Sequence, residues 1–328
     1  MRLALYLCVV FLLIACDNHK EKLKILQGYA IGTTYTIKYT ELEPIDFESK
    51  IDALITAINK STSTYIPSSD ISKINAGDTT VVVDRYFEEV YRKSERIYQE
   101  TDGLFDPTVG ALVNAWGFGP EKPLNELSQK QVDSLLQFVG FNKVALQNHL
   151  VSKEHPAIYL DFNAIGKGYL VDVIGRMFEA HNVTNYLIEI GGEIRARGVN
   201  GEGNHWRIAI ENPNEDGTRS YAQAISLIDE SIATSGNYRK FRIDENGTKF
   251  VHTINPITGY ATESNLLSAS VISTLDCADV DGYATAFMAM GLEKTKAFLK
   301  NRTDLKVFLI FTNEDGSYGS WYSPNLEI

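Results

Sequence analysis

Apolar and polar positions along the chain follow two periods, and the changes from one to the other mark its elements. From Tyr29 to Thr40 ("YAIGTTYTIKYT") β-branched and aromatic residues alternate with polar ones, the pattern of a half-buried strand. Residues 47–60 ("FESKIDALITAINK") repeat apolar positions at i, i+3, i+4 and i+7, which predicts a helix. A polar loop, "STSTYIPSSD", follows, and Asp84 is placed to cap a second helix running to about Glu100. The segment "TDGLFDPTVGALVNAWGFGP" is rich in Gly, Pro and aromatics and reads as neither helix nor strand. Ser128 opens a further helix, and strands are expected near 143–160. After Lys167 a helix should run to about Ala180, then the strand "NYLIEI" and the turn "GGEIRARG". Shorter strands fill 205–254. The buried-looking strand "LLSASVIS", the helix "CADVDGYATAFMAMG" and the inner strand "LKVFLIF" complete the pattern.

Helices and strands are mixed without strict alternation. The expectation is an α+β or layered α/β fold: mixed sheets packed with helices in a single compact catalytic unit. Composition agrees, with 328 residues, 44% hydrophobic and 22% charged. The formal net charge of −11 argues against a nucleic-acid partner, which would call for a basic stripe.

The first residues stand apart. "MRLALYLCVVFLLIAC" has one positive charge and an apolar run too short to span a bilayer, as in a signal peptide. Its end, "LIAC", resembles a bacterial lipobox, in which Cys16 is lipidated. The expected division is a lipoprotein signal over 1–15, a polar tether over 16–27 and the catalytic domain over 28–328. Cys8 leaves with the signal and Cys16 carries lipid, so Cys277 has no partner for a disulfide.

Three clusters carry candidate chemistry. "DFNAIGKGYLVD" holds a Gly-Lys-Gly turn before a helical pattern. A P-loop needs Gly and Ser/Thr where Asp161 and Gly168 stand, and a dinucleotide fingerprint needs Gly where Val171 stands. What survives is a helix N-terminus with a lysine, a good place for a phosphate. In "ADVDGYATA", Asp281 and Thr285 are four apart and share one helix face, suiting a hard cation such as Mg²⁺. In "HTINPITGY", His252 precedes an Asn-Pro turn and could act as a general base.

Together the blocks "AIGTTYTI", "STYIPSSDISKIN", "DGLFDPTVGALVNAWGFG", "LDFNAIGKGYLVD", "YLIEIGGEIRARG", "IATSGNYRKF", "HTINPITGY" and "DVDGYATAFMAMG" resemble the ApbE family of FAD:protein FMN transferases, in family order. The resemblance implies that Mg²⁺ helps split the pyrophosphate of FAD. The FMN half then passes to a threonine of a partner flavoprotein, and AMP leaves. It implies metal ligation by Asp281 and Thr285, with Ala164 and Ala284 supplying only backbone oxygen. It puts FAD contacts at Ile31, Tyr65, Trp116, Gly117, Phe118, Asp161, Lys167 and Ile254, and the base for the acceptor hydroxyl at His252. The acceptor would be a subunit of an electron-transport or sodium-pumping complex. The chain itself would be lipid-anchored on the periplasmic side of the bacterial inner membrane. The family's usual Met at the entry motif is Ile31 here, and Val280 replaces a small residue on the metal helix. Two other readings fit parts of the pattern: an FAD pyrophosphatase releasing FMN and AMP, and a flavin-binding lipoprotein without catalysis. The appearance and timing of AMP, with and without acceptor, separates the three.

Overall fold

The computed structural model describes residues 22–41, 44–121, 124, 127–213, 220–237, 241–243, 249–251, 253–261 and 264–327. The chain opens with strands β1 (Lys22–Ala30) and β2 (Thr33–Glu41). Helices α1 (Phe47–Thr62), α2 (Asp70–Asn75), α3 (Arg85–Glu100), α4 (Gly110–Ala115) and α5 (Gln129–Leu136) follow. Strands β3 (Val144–Gln147) and β4 (Leu150–Lys153) precede helix α6 (Asn163–Ala180). Next come β5 (Tyr186–Ile190), β6 (Glu193–Arg197), β7 (Trp206–Glu211), β8 (Tyr221–Leu227), β9 (Ser231–Gly236), β10 (Phe241–Ile243), β11 (Lys249–Val251) and β12 (Leu266–Ser273). Helices α7 (Cys277–Met290) and α8 (Leu292–Leu299) and strands β13 (Lys306–Thr312) and β14 (Tyr318–Tyr322) close the order.

Eight strands form one antiparallel sheet in the order β1-β2-β5-β6-β9-β12-β13-β14. Side chains alternate across it. Tyr186, Ile188 and Ile190 of β5 enter the main core with α1, α3, α6 and α7, while Leu187 packs on the other face beneath the β7–β8 hairpin. On β13, Val307 and Leu309 go one way and Phe308 and Ile310 the other. A strand covered on both faces reads as a continuous apolar run, and "VFLI" does. The α+β expectation, mixed sheets packed with helices, therefore holds.

Local signals place the helices. Asp84 accepts from the Phe87 amide at 3.0 Å and starts α3, as expected. Ser128 and Gln131 form a capping box at α5. Several features differ from the expectations: the strand expected over Tyr29–Thr40 reverses at Ile31–Gly32 into β1 and β2, and most of the expected turn "GGEIRARG" is strand β6. Lys22–Gln27, expected in the tether, belong to β1, where nine residues pair with β2. Short helices α2 and α4 arise in or beside segments read as irregular, since six-residue elements show too little periodicity. Helix α6 begins at Asn163, ahead of Lys167, because the Asp161 carboxylate accepts from the Asn163 amide at 2.7 Å. The Gly-Lys-Gly segment is thus helix, not turn. Residues 1–21, including the expected signal and Cys16, lie outside the described residues. Among the described residues no helix is long and apolar enough to cross a membrane.

Candidate active site

Helix α7 is the element on which the site is built. It is buried almost all round, and α6 crosses it at very short range. A methyl at Gly168 would sit 2.4 Å from the carbonyl oxygen of Cys277, so only glycine permits this approach. Four residues on, Asp172 of α6 is fully buried and accepts from the amides of Cys277 and Ala278, each at 2.8 Å. One helix thereby caps the other, satisfying amides that α7 would leave orphaned.

With the two helices so fixed, Asp281 and Lys167 meet at one end of the main sheet. The Asp281 carboxylate is buried and accepts from the Gly168 amide at 3.1 Å. Lys167 extends to Glu193, the first residue of β6, with 2.6 Å from Nζ to Oε1. The β5–β6 turn that delivers Glu193 is Gly191–Gly192, with φ of 61° and 106°, a left-handed path open to glycine. The Gly191 amide donates to the carbonyl of Thr34 at 3.1 Å, tying this turn to the β1–β2 turn. There Ile31 sits at φ 41°, an uncommon conformation for a β-branched residue. Thr285, one turn beyond Asp281, shares a 3.3 Å hydroxyl contact with Ser235 at the end of β9.

Among the described residues this corner holds more acids than cations. Glu193 and Asp281 are both buried, and Lys167 is the cation between them. Burial disfavours the Lys167 ammonium, but Asp281 and Glu193 outweigh it and hold its pKa above the ordinary lysine value. Burial pushes the carboxyl of Asp281 up against the opposing pull of Lys167 and the Gly168 amide. Glu193 is likewise raised by burial and by Asp281, against the pull of Lys167. Its Oε2 is buried with no hydrogen-bond partner, an expensive state for a polar atom. Among the described residues two carboxyl groups thus share one ammonium, both are pushed up, and a bound cation would favour ionising both.

A second group of expected residues lies around Asp161. Its amide donates to the carbonyl of Pro107 at 2.8 Å, and Asn163 beside it donates to Thr64 at 3.2 Å. Tyr65, next in the chain, is 57% exposed. The buried part of its ring, and then Asp161, raise its hydroxyl pKa. Trp116 and Phe118 behave differently. Both are buried with Leu112, Val132, Val139 and Ile254 in a small core, and the Trp116 indole donates to the Gly259 carbonyl at 2.9 Å. Gly117 between them turns the chain at φ 84°. Of the three aromatic side chains expected at the rings, only Tyr65 presents an open face. His252 lies outside the described residues. The Asn-Pro turn that follows it is formed, with the Gly259 amide donating to the Asn255 carbonyl at 2.8 Å.

Among the described residues no group of three or more His, Cys, Asp or Glu side chains converges to hold a metal ion. A cation at Asp281 and Thr285 would have to be completed by backbone carbonyls, water or ligand oxygens. The surplus of acids over cations among the described residues, with a buried Glu193 oxygen left without a hydrogen bond, fits a divalent cation in this corner.

The ApbE family model matches residues 31–309. The chain is 35% identical to the FAD:protein FMN transferase of Haemophilus influenzae, over 93% of this chain and 90% of that one. With the Escherichia coli K12 protein of the same name, identity is 32% over 99% and 96%. The solved flavin transferase ApbE from Vibrio cholerae superimposes with a TM-score of 0.83 at 33% identity, covering 93% of this chain and 98% of that one.

The chain belongs to the ApbE family.

The likeness spans both the β1–β2 turn and α7, so every element just described falls within the ApbE match. Sequence reasoning gave no role to Glu193, the Gly191–Gly192 pair or Ser235, although each lies in a block quoted for the ApbE resemblance. A Gly-Gly-Glu following a buried strand was the available signal. Paired glycines mark a tight reversal, and a lone acid entering an inner strand needs a partner.

Proposed function

We propose that this protein is an FAD:protein FMN transferase that moves FMN from FAD to a threonine hydroxyl of an acceptor protein, with Mg²⁺, and releases AMP. The name its relatives carry supports the transferase class. The observation that carries the finer reading is the corner where Lys167 meets the two buried acids Glu193 and Asp281, more acid than the cation there matches among the described residues. Phosphoryl transfer asks little covalent chemistry of a protein; it asks for neutralised charge and alignment.

The chain's own residues divide that work. Lys167 meets the pyrophosphate with a held ammonium. Asp281 and Thr285, with the backbone oxygens of Ala164 and Ala284, would hold Mg²⁺. When bound, that ion draws off charge developing on the phosphoryl oxygens. Tyr65 offers its open face to a ring of FAD, while Ile31, Asp161, Gly117 and Ile254 shape the remaining cleft, with Trp116 and Phe118 bracing it from behind. His252 takes the proton as the threonine oxygen bonds to the FMN phosphorus. The bond from that phosphorus to the bridging oxygen breaks, and its electrons leave with AMP.

Incubation with FAD, Mg²⁺ and an acceptor threonine protein tests the reading. AMP should appear together with covalent flavin on the acceptor, and slowly or not at all without acceptor. AMP and free FMN at equal rates in both cases would instead mean a pyrophosphatase. Flavin binding without AMP would mean a carrier. His252→Ala should keep FAD affinity and lose transfer by about 10²–10⁴-fold, the usual worth of a positioned base. The anchor is proposed at Cys16, on the periplasmic side of the inner membrane, and Cys16→Ser should abolish labelling by palmitate.

A further inference from the structure

We propose that Glu193 is a positioning residue of the transfer reaction, holding the Lys167 ammonium at the pyrophosphate position. This rests on the reading that Lys167 meets the pyrophosphate. Lysine is a point charge on a flexible four-carbon stem, and its ammonium has no built-in direction. Left alone it would have to be ordered each time substrate arrived, at the cost of its rotamer freedom. Here the ordering is already present: Nζ lies 2.6 Å from Glu193 Oε1, on a side chain only 3% exposed. The stem is confined as well. A methyl at Gly191 would come within 3.2 Å of Lys167 Cδ and 2.7 Å of Thr33 Cγ2, so the turn preceding Glu193 also lines the lysine's path.

Glu193 is not explained by the fold. Its second oxygen is buried without a partner, and Asp281 already supplies one carboxylate for the one ammonium. An acid kept against the interest of stability is the mark of a functional position. The glutamate carboxylate supplies what Asp281 does not. It grips Lys167 from the sheet side, while Asp281 faces it from α7.

The test is a double-mutant cycle on the full-length protein with FAD, Mg²⁺ and acceptor, using E193Q, K167M and both together. E193Q should lower kcat/KM by about 10–100-fold, as loss of an orienting partner typically does, with no fall in Tm. In the K167M background it should add less than about twofold, because Glu193 would have nothing left to position. E193D, which keeps the charge but withdraws it by one methylene, should behave like E193Q and stands in if that variant is unstable. Equal losses in both backgrounds, full activity of E193D, or an unaltered rate in E193Q would overturn the proposal. If K167M itself retains FAD affinity and rate, the placement of Lys167 fails first, and the two failures are distinguishable.

Discussion

Two groups of buried charge lie along α7, and they are built on opposite terms. Toward the start of the helix every carboxylate has a cationic partner. Asp172 takes Arg195 at 2.9 Å, and Asp276 takes Lys93 at 2.8 Å and Arg195 at 2.9 Å. Asp279 takes Lys93 at 3.1 Å and also Arg96. Toward the site, Glu193 and Asp281 share Lys167, and one Glu193 oxygen has no hydrogen-bond partner among the described residues. Both groups pack against the same helix and sheet, but Asp276 and Arg96 are partly exposed where Glu193 and Asp281 are buried. On the proposed reading, saturation separates charges that hold the fold from charges that await a ligand. A saturated group has nothing to offer a substrate, whereas an unsaturated one gains when a cation and a phosphate arrive.

Substitutions should therefore split activity from stability in opposite senses at the two ends. The largest effect on rate is expected for Asp281→Asn, which keeps an acceptor for the Gly168 amide and removes the charge. Transfer should fall by roughly 10³-fold, as loss of a key electrostatic group does, while Tm holds or rises by a few degrees. Asp172→Asn should do the reverse. Its carboxylate accepts from two amides and Arg195, and breaking a buried pair costs about 3–5 kcal/mol, which lowers Tm by roughly 10 °C. The folded fraction should still transfer FMN. A D172N variant that is stable but inactive would erase the distinction between the two groups.

Smaller effects sharpen the same contrast. Burial would raise the pKa of Asp276, but Lys93 and Arg195 outweigh it and hold it below the ordinary value. Stability from this group is complete above the unfolded carboxylate pKa and is lost as pH falls through the folded one. Lys93→Met should move the acid-unfolding midpoint to higher pH, by about half a unit, as followed by circular dichroism. Tyr65→Ala is expected to be mildest. With the ring exposed, Tm should not change, and FAD affinity should drop by about 1–2 kcal/mol, the scale of one stacking contact.

The sequence carried the frame of this molecule because its long elements are strongly periodic. Helix α1, the Asp84 cap of α3, the capping box at Ser128 and the two-sided strand β13 all follow from local pattern. Asp281 and Thr285 could be placed on one face by spacing alone. What escaped was tertiary. Gly168 looked like part of a turn, yet its missing Cβ serves the approach of α7, a partner more than a hundred positions away. Glu193 looked like an ordinary polar residue after a turn, since its lysine comes from another element. Lys22–Gln27 looked like tether because an edge strand half open to solvent needs few apolar residues. Trp116 and Phe118 show the converse, as aromatic residues in a motif did not disclose that their rings are buried.

The central claim is that the paired acids at Lys167, Glu193 and Asp281 form a cation and phosphate site. It is tested most directly by equilibrium Mn²⁺ binding in the absence of FAD, followed by electron paramagnetic resonance. The wild-type protein and the Asp279→Asn variant, altered in the saturated group, should bind one ion with similar affinity. Asp281→Asn should lose it by at least about tenfold. Equal binding by all three proteins, or loss in Asp279→Asn alone, would contradict the account.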